Sequence, residues 1–286
     1  MNLSTNTWTL GTCAAVAAAL SAGCATPLVE EGDADPAEEI ATDESALLSE
    51  NALNWNAINW NALNWNALNW NALNWNGLTI EARNRLLDSG NVGDLARQAL
   101  RYVVSCALPA SSSFDFSWRD DQGGVHAESY PGLMALAPQW QSSPITDDEA
   151  RWVSACLLSR VNYYGASVLL SSRSWHQQFW VLGGDELATF THEEGAFWGN
   201  LFTDPPSAYA CYNTNHVDYA RQKQRACAAG HVNAQGGVES CGMIKIVGAC
   251  SDYCVPAQTP SNFWMGCTPF YSRPSFNFNV ITVFLD

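Results

Sequence analysis

Thr146-Asp147-Asp148-Glu149-Ala150-Arg151-Trp152-Val153-Ser154-Ala155-Cys156-Leu157-Leu158-Ser159-Arg160-Val161 reads as one helix. Thr146 and Glu149 form a capping box, each side chain placed to meet the other residue's backbone N–H. Val153, Cys156, Leu157 and Val161 then share one stripe, and Gly165 is the expected close. Upstream, Thr79 can cap a short helix to about Asp88, with Gly90 following. Asp94 opens another helix, whose Leu95, Ala99, Val103 and Cys106 fall on one face before Pro109 ends it. Cys106 and Cys156 therefore both face a core, and the simplest arrangement pairs them across two packed helices. Connectivity does not follow from sequence alone.

Strand signals surround these helices. Phe114, Phe116 and Trp118 alternate with Asp115 and Ser117, and Asp121-Gln122-Gly123-Gly124 supplies a turn before Val125, so a hairpin is expected. Further strands are expected over 167–171, 179–182, 243–247 and 276–285. Short strands separated by turn residues, with helices beside them, give an α+β class with an antiparallel sheet. The region from Cys211 to Cys267 is loop-rich and holds most of the domain's cysteines.

The chain has ten cysteines. If Cys13 leaves with a leader and Cys24 carries lipid, eight remain: Cys106, Cys156, Cys211, Cys227, Cys241, Cys250, Cys254 and Cys267. An even set in an exported chain reads as disulfides. Zinc is the rival, but no Cys-x-x-Cys pair occurs. The nearest approach, Cys250 to Cys254, has no second half of the same kind.

Charge narrows the partners. The formal net charge is -15, and residues 30–50 hold nine acids, while no Lys or Arg precedes Arg83. Removing those nine from 28 leaves 19 acids against 13 bases in the rest of the chain. With only Lys223 and Lys245 as lysines, displacing phosphate counterions is unfavourable, so nucleic acid is not an expected partner.

Residues 1–23 read as an export leader, with an Ala-rich apolar run from Cys13 to Leu20. Leu20-Ser21-Ala22-Gly23-Cys24 resembles a bacterial lipobox, which implies that Cys24 is acylated and that lipid tethers the chain to a membrane. Ser21 stands where Leu, Val or Ile is usual, and an ordinary cleaved secretion signal is the alternative. The apolar run is well short of the ~20 residues a bilayer span requires. Residues 24–50 are acidic and lack aromatics, as expected of a solvated tether reaching up to ~80 Å.

Residues 51–78 form a five-residue repeat, Asn-Ala-Leu/Ile-Asn-Trp, with tryptophans at Trp55, Trp60, Trp65, Trp70 and Trp75. On a helix each unit advances by about 500°, and on a strand successive units change face, so neither structure gathers the apolar residues into a stripe. Pentapeptide-repeat solenoids place a small residue where this tract has Asn. Two readings stand side by side: an adhesive tape presenting its indoles outward, and a linker folded back onto the domain over 79–286.

Tyr102-Val103-Val104-Ser105-Cys106-Ala107-Leu108-Pro109, Leu136-Ala137-Pro138-Gln139-Trp140, Trp152-Val153-Ser154-Ala155-Cys156-Leu157-Leu158 and Glu194-Gly195-Ala196-Phe197-Trp198-Gly199-Asn200-Leu201-Phe202 together resemble a group of predicted lipoproteins of myxobacteria. Those chains also carry Asn-Ala-Leu-type repeats ahead of a Cys-containing domain. The resemblance implies an envelope location and no particular reaction.

No Gly-x-Ser-x-Gly elbow, His-Glu-x-x-His helix, P-loop or dinucleotide fingerprint occurs. The densest polar cluster is His192-Glu193-Glu194 with His216 and Asp218. His192, Glu194 and His216 are the nearest thing to a metal set, although neighbours on a strand point to opposite faces. No cofactor is expected beyond lipid on Cys24. The first functional expectation is a non-enzymatic envelope lipoprotein using its Trp repeat for glycan or envelope binding, or for self-association. The second is an extracellular hydrolase or metal-binding enzyme, with Trp175, Phe179, Trp180, Phe197 and Trp198 available to line a cleft. The third is a self-modifying precursor resembling fused peptide cyclases, in which a copper-binding domain crosslinks its own repeats.

Overall fold

A computed structural model describes residues 52–54, 57, 72–181, 183–271 and 275–286. The leader, the tether, and Trp55, Trp60, Trp65 and Trp70 lie outside the described residues. In chain order the elements are β1 (Leu53–Asn54), α1 (Ile80–Leu86), α2 (Asn91–Ala107), β2 (Ser113–Arg119), β3 (Val125–Pro131), α3 (Asp147–Arg160), β4 (Val161–Asn162), β5 (Leu170–Arg173) and α4 (Gly184–Thr189). They continue with β6 (His192–Asn200), β7 (Ser207–Tyr212), α5 (Val217–Gln222), β8 (His231–Val232), β9 (Val238–Glu239), β10 (Lys245–Ala249), α6 (Cys250–Tyr253), β11 (Cys254–Pro256), β12 (Trp264–Cys267) and β13 (Ile281–Leu285).

The fold is α+β. Five strands form the main sheet in the order β10-β7-β6-β13-β5, antiparallel throughout except for the parallel pair β10 and β7. Helix α3 lies on β6 and β13, and α2 packs on α3. Cys106, Leu100, Val103, Cys156, Leu157, Phe197, Ile281 and Val283 are all buried between these layers. At roughly 1.5–3 kcal/mol for each fully buried large aliphatic or aromatic side chain, this interface is the principal source of stability.

The expected capping box is present at Thr146 and Glu149. Helix α2 begins three residues before the expected Asp94, because the Asp88 carboxylate accepts from the N–H groups of Gly90 and Gly93 and starts the turn early. Helix α3 stops at Arg160, short of Gly165: Val161 turns extended and pairs with Leu53 in the parallel β1–β4 bridge. The hairpin forms as β2 and β3. Of the strand expected over 179–182, Phe179 instead closes a 3-10 turn, Gln177–Phe179, in which His176 Nδ1 accepts from the N–H of Gln178; Trp180 and Val181 join no strand, and residue 182 lies outside the described residues. Phe179 drops into the core while Trp180 turns outward, so a short apolar run there did not mean a paired strand.

Four disulfides staple the described chain: Cys106–Cys156, Cys211–Cys250, Cys227–Cys241 and Cys254–Cys267. The first is the pairing expected from the helix faces. Such a set places the folded chain in an oxidising setting, extracellular or in a cell envelope. Among the described residues, no helix is long and apolar enough to cross a membrane.

The ends of the repeat tract are built into the domain. Leu53, Ala57, Leu73 and Leu78 are buried in the main core. Ala52 N–H donates to the Tyr102 hydroxyl, Leu73 N–H to Trp140 O, and Trp75 stacks on Phe116 with ring centroids 5.5 Å apart.

Candidate functional site

Two groups of side chains outside the packed interior can do chemistry or bind. The first grows from β6, which lies between β7 and β13. Its register against β13 shifts so that Gly195 faces Val283 and Glu193 faces Phe284, leaving Glu194 as the extra residue of a bulge. Glu194 turns into the core, where its Oε2 accepts from Arg225 Nε at 2.9 Å. Glu193 goes elsewhere: Oε1 accepts from Trp264 Nε1 at 2.7 Å and Oε2 from Asn213 Nδ2 at 3.3 Å. The backbone oxygen of Glu193 lies 3.1 Å from His216 Nδ1. Nδ1–H donates there, which orients the His216 ring.

His192 stacks on Tyr219, with centroids 4.0 Å apart, and meets His216 edge-on at 5.2 Å. The Tyr219 hydroxyl donates to the backbone oxygen of Asp286, whose carboxylate holds Lys223 Nζ at 2.9 Å. Of the sequence candidates, then, His192 and His216 come together, and Glu194 does not join them. His192, Glu194 and His216 form no three-ligand group, because Glu194 is committed to Arg225. Asp218 points to solvent, 3.9 Å from Arg221.

Burial pushes the Glu193 carboxyl above the ordinary carboxylate range, against the opposing pull of Trp264, Asn213 and His216. A raised folded pKa means the folded state keeps its proton where the unfolded state has lost it. The group is therefore neutral for stability below the ordinary value of 4.5, and destabilises increasingly as pH rises through the window above it. Glu193→Gln keeps an acceptor for Trp264 and cannot ionise. Its melting temperature relative to the parent should climb as pH rises above the ordinary value of 4.5. A difference that stays constant across that range would show that Glu193 is not held protonated by its surroundings.

The second group is aromatic. Trp175 follows β5 and is 43% exposed, Trp180 follows the 3-10 turn and is 58% exposed, and Phe278 precedes β13 at 51%. Trp175 Nε1 donates to Phe278 O at 2.5 Å, and Trp180 Nε1 donates to Trp175 O at 2.8 Å. Trp175 also stands edge-on to the buried Trp152, with centroids 5.4 Å apart. Both indole N–H groups are thus engaged by backbone, which anchors the rings while each stays about half exposed. Phe179, Phe197 and Trp198, grouped with them in the sequence reading, are core residues.

The other three histidines are held in ring contacts: His126 on Trp118, His176 on Trp152 and Phe179, His231 on Tyr163. All eight domain cysteines pair with one another, so a copper centre of the cyclase kind would have no free thiol among them. Trp264 and Tyr219 carried no local signal in sequence. Trp264 reaches Glu193 across 71 positions, beyond any periodicity argument. Comparison with family models, curated proteins and solved structures finds no match to this chain.

Proposed function

We propose that this chain is a non-enzymatic envelope lipoprotein that binds an envelope glycan through exposed tryptophans, with Cys24 as the acylated anchor and residues 24–50 as the tether. The observation that carries the reading is the Trp175–Trp180–Phe278 platform. With their N–H groups engaged, the two indoles offer rigid π faces and little else, which suits the C–H face of a pyranose ring. Rigid rings lose little entropy when a ligand docks. The net negative charge of the domain disfavours a phosphate-rich ligand in the same place. Trp55, Trp60, Trp65 and Trp70 repeat the same chemistry along the tract, which extends the reading to multivalent contact or self-association.

The test is co-sedimentation with purified peptidoglycan and with envelope polysaccharide. Trp175→Ala combined with Trp180→Ala should weaken binding about 5- to 150-fold, from about 1–3 kcal/mol of lost ring contact. A parallel variant carrying Trp60→Ala, Trp65→Ala and Trp70→Ala separates the platform from the repeat. Retention by both variants at the parent's level would remove tryptophan-mediated glycan binding from consideration.

A second reading, acid–base hydrolysis, is favoured by one observation: a partly buried carboxyl with a raised pKa near His216. Glu193→Gln separates it from the first, because an enzyme loses turnover and a binder keeps its ligand.

A further inference from the structure

The Cys211–Cys250 and Cys254–Cys267 disulfides are not independent staples. Cys211 Sγ and Cys254 Sγ lie 3.5 Å apart, and the sulfurs of Cys211, Cys254 and Cys267 all lie within 4.8 Å of one another. Cys250 is bonded to Cys211 and so borders this group, but its sulfur lies more than 4.8 Å from at least one of the other three. Neither Cys106–Cys156 nor Cys227–Cys241 belongs to such a group among the described residues. The four come from β7, the start of α6, the start of β11 and the end of β12, and all four are buried.

We propose that, once reduced, Cys211, Cys250, Cys254 and Cys267 form a tetrahedral zinc site. Zinc–thiolate bonds of about 2.3 Å set sulfur–sulfur edges of about 3.8 Å in a tetrahedron. The 3.5 Å approach between the two disulfides is already close to that edge. Reduction frees the two bonded pairs to spread, and Cys250 must also swing toward Cys254 and Cys267 to close the fourth corner, which a change of its side-chain rotamer would supply. Three residues separate Cys250 from Cys254 in the chain, within the spacing of structural zinc pairs. The other two ligands arrive through the fold, from strands 39 and 13 positions away from their present disulfide partners.

The chemistry balances with a dithiol as reductant. Two equivalents of dithiol deliver four electrons and four protons, open both disulfides to four thiols, and leave as their own cyclic disulfides. One Zn2+ then binds as the four thiols release four protons, giving a tetrathiolate centre of net charge two minus. In an oxidising setting the disulfide form holds the loops, and in a reducing one the metal replaces it. The loops are crosslinked in both states.

The experiment reduces the full chain in denaturant and refolds it under a phosphine reductant with Co2+ or Zn2+ alone as probe. One metal ion per chain is expected, with the visible absorption of tetrahedral cobalt tetrathiolate and recovery of the near-ultraviolet circular dichroism lost on reduction. Cys227→Ala with Cys241→Ala should leave binding intact, whereas Cys254→Ala with Cys267→Ala should abolish it. Cys254→His cannot form the Cys254–Cys267 bond but keeps a ligand, so it should bind one metal with the spectrum of a three-thiolate site. A reduced chain that takes up no metal overturns the proposal. So does equal uptake by both double variants, or a Cys254→His variant with the same uptake as the Cys254→Ala, Cys267→Ala chain.

Discussion

Arg225→Met is expected to lower the stability of the fold by about 3–5 kcal/mol, with the loss read from guanidinium unfolding curves. The Arg225 and Glu194 side chains are 0% and 1% exposed, and their Nε···Oε2 distance is 2.9 Å. The rest of the guanidinium holds the end of α3, with Nη1 donating to Val161 O at 2.9 Å and Nη2 to Ser159 O at 2.8 Å. Those carbonyls lie at the helix C-terminus, where the chain leaves the helix and the backbone ladder has no N–H for them. One side chain therefore ties the segment after α5 to the end of α3 and to the bulge in β6. Methionine fills a similar volume but leaves a carboxylate and two carbonyls buried without donors. Glu194 Oε1 already has no partner, so the carboxylate has little left to fall back on. Arg225→Met combined with Glu194→Leu should recover a large part of the loss, since an apolar pair of matching shape can equal a buried ion pair. A single variant within about 1 kcal/mol of the parent would show that water reaches this pair and that its burial has little energetic weight.

That ion pair also marks where sequence reading stops. The capping box at Thr146, the facing of Cys106 and Cys156, and the β2–β3 hairpin were legible because each rests on spacings of two to four residues. Strand β6 was not, because its first residues, His192-Glu193-Glu194-Gly195, show no alternation of apolar and polar types. A central strand covered on both faces has none to show. Its bulge sends Glu193 to Trp264 and Glu194 to Arg225, partners that become neighbours only when the sheet closes. The turn at Gln177–Phe179 failed for the opposite reason. Aromatic residues raised a strand signal there, while the His176 side chain supplied the local cap that decided for a turn. The aromatic platform was half legible: the residue types were plain, but which of them faces solvent was set by the tertiary packing of the sheet and the 3-10 turn.

Leu53→Ala and Leu73→Ala are each expected to cost about 2–5 kcal/mol, although both residues belong to a repeat that looks dispensable to a globular domain. Leu53 is fully buried, sits opposite Val161 in the β1–β4 bridge, and lies beside α2. Leu73 is 1% exposed, and its N–H donates to Trp140 O at 2.6 Å. Asn74 Nδ2 donates to Gln141 O at 2.8 Å, and its Oδ1 accepts from Gly77 N–H at 2.8 Å. Trp75 lies flat on Phe116 of the hairpin. Leu53, Ala57, Leu73 and Trp75 thus tie the tract to the core, whatever its other tryptophans bind. A chain shortened to begin at Leu78 removes Leu53, Ala57, Leu73 and Trp75 together and leaves their apolar seats on α2 and the hairpin open to water. Thermal unfolding of the two leucine variants and of the shortened chain measures this directly. The shortened chain should melt lowest, because its losses combine those of both variants with the Trp75 stack. Leucine variants that melt with the parent would mean that the tract rests on the domain without supporting it. Binding measurements should accordingly compare tryptophan substitutions in the intact chain, since loss of binding by the shortened chain would report unfolding and missing indoles at once.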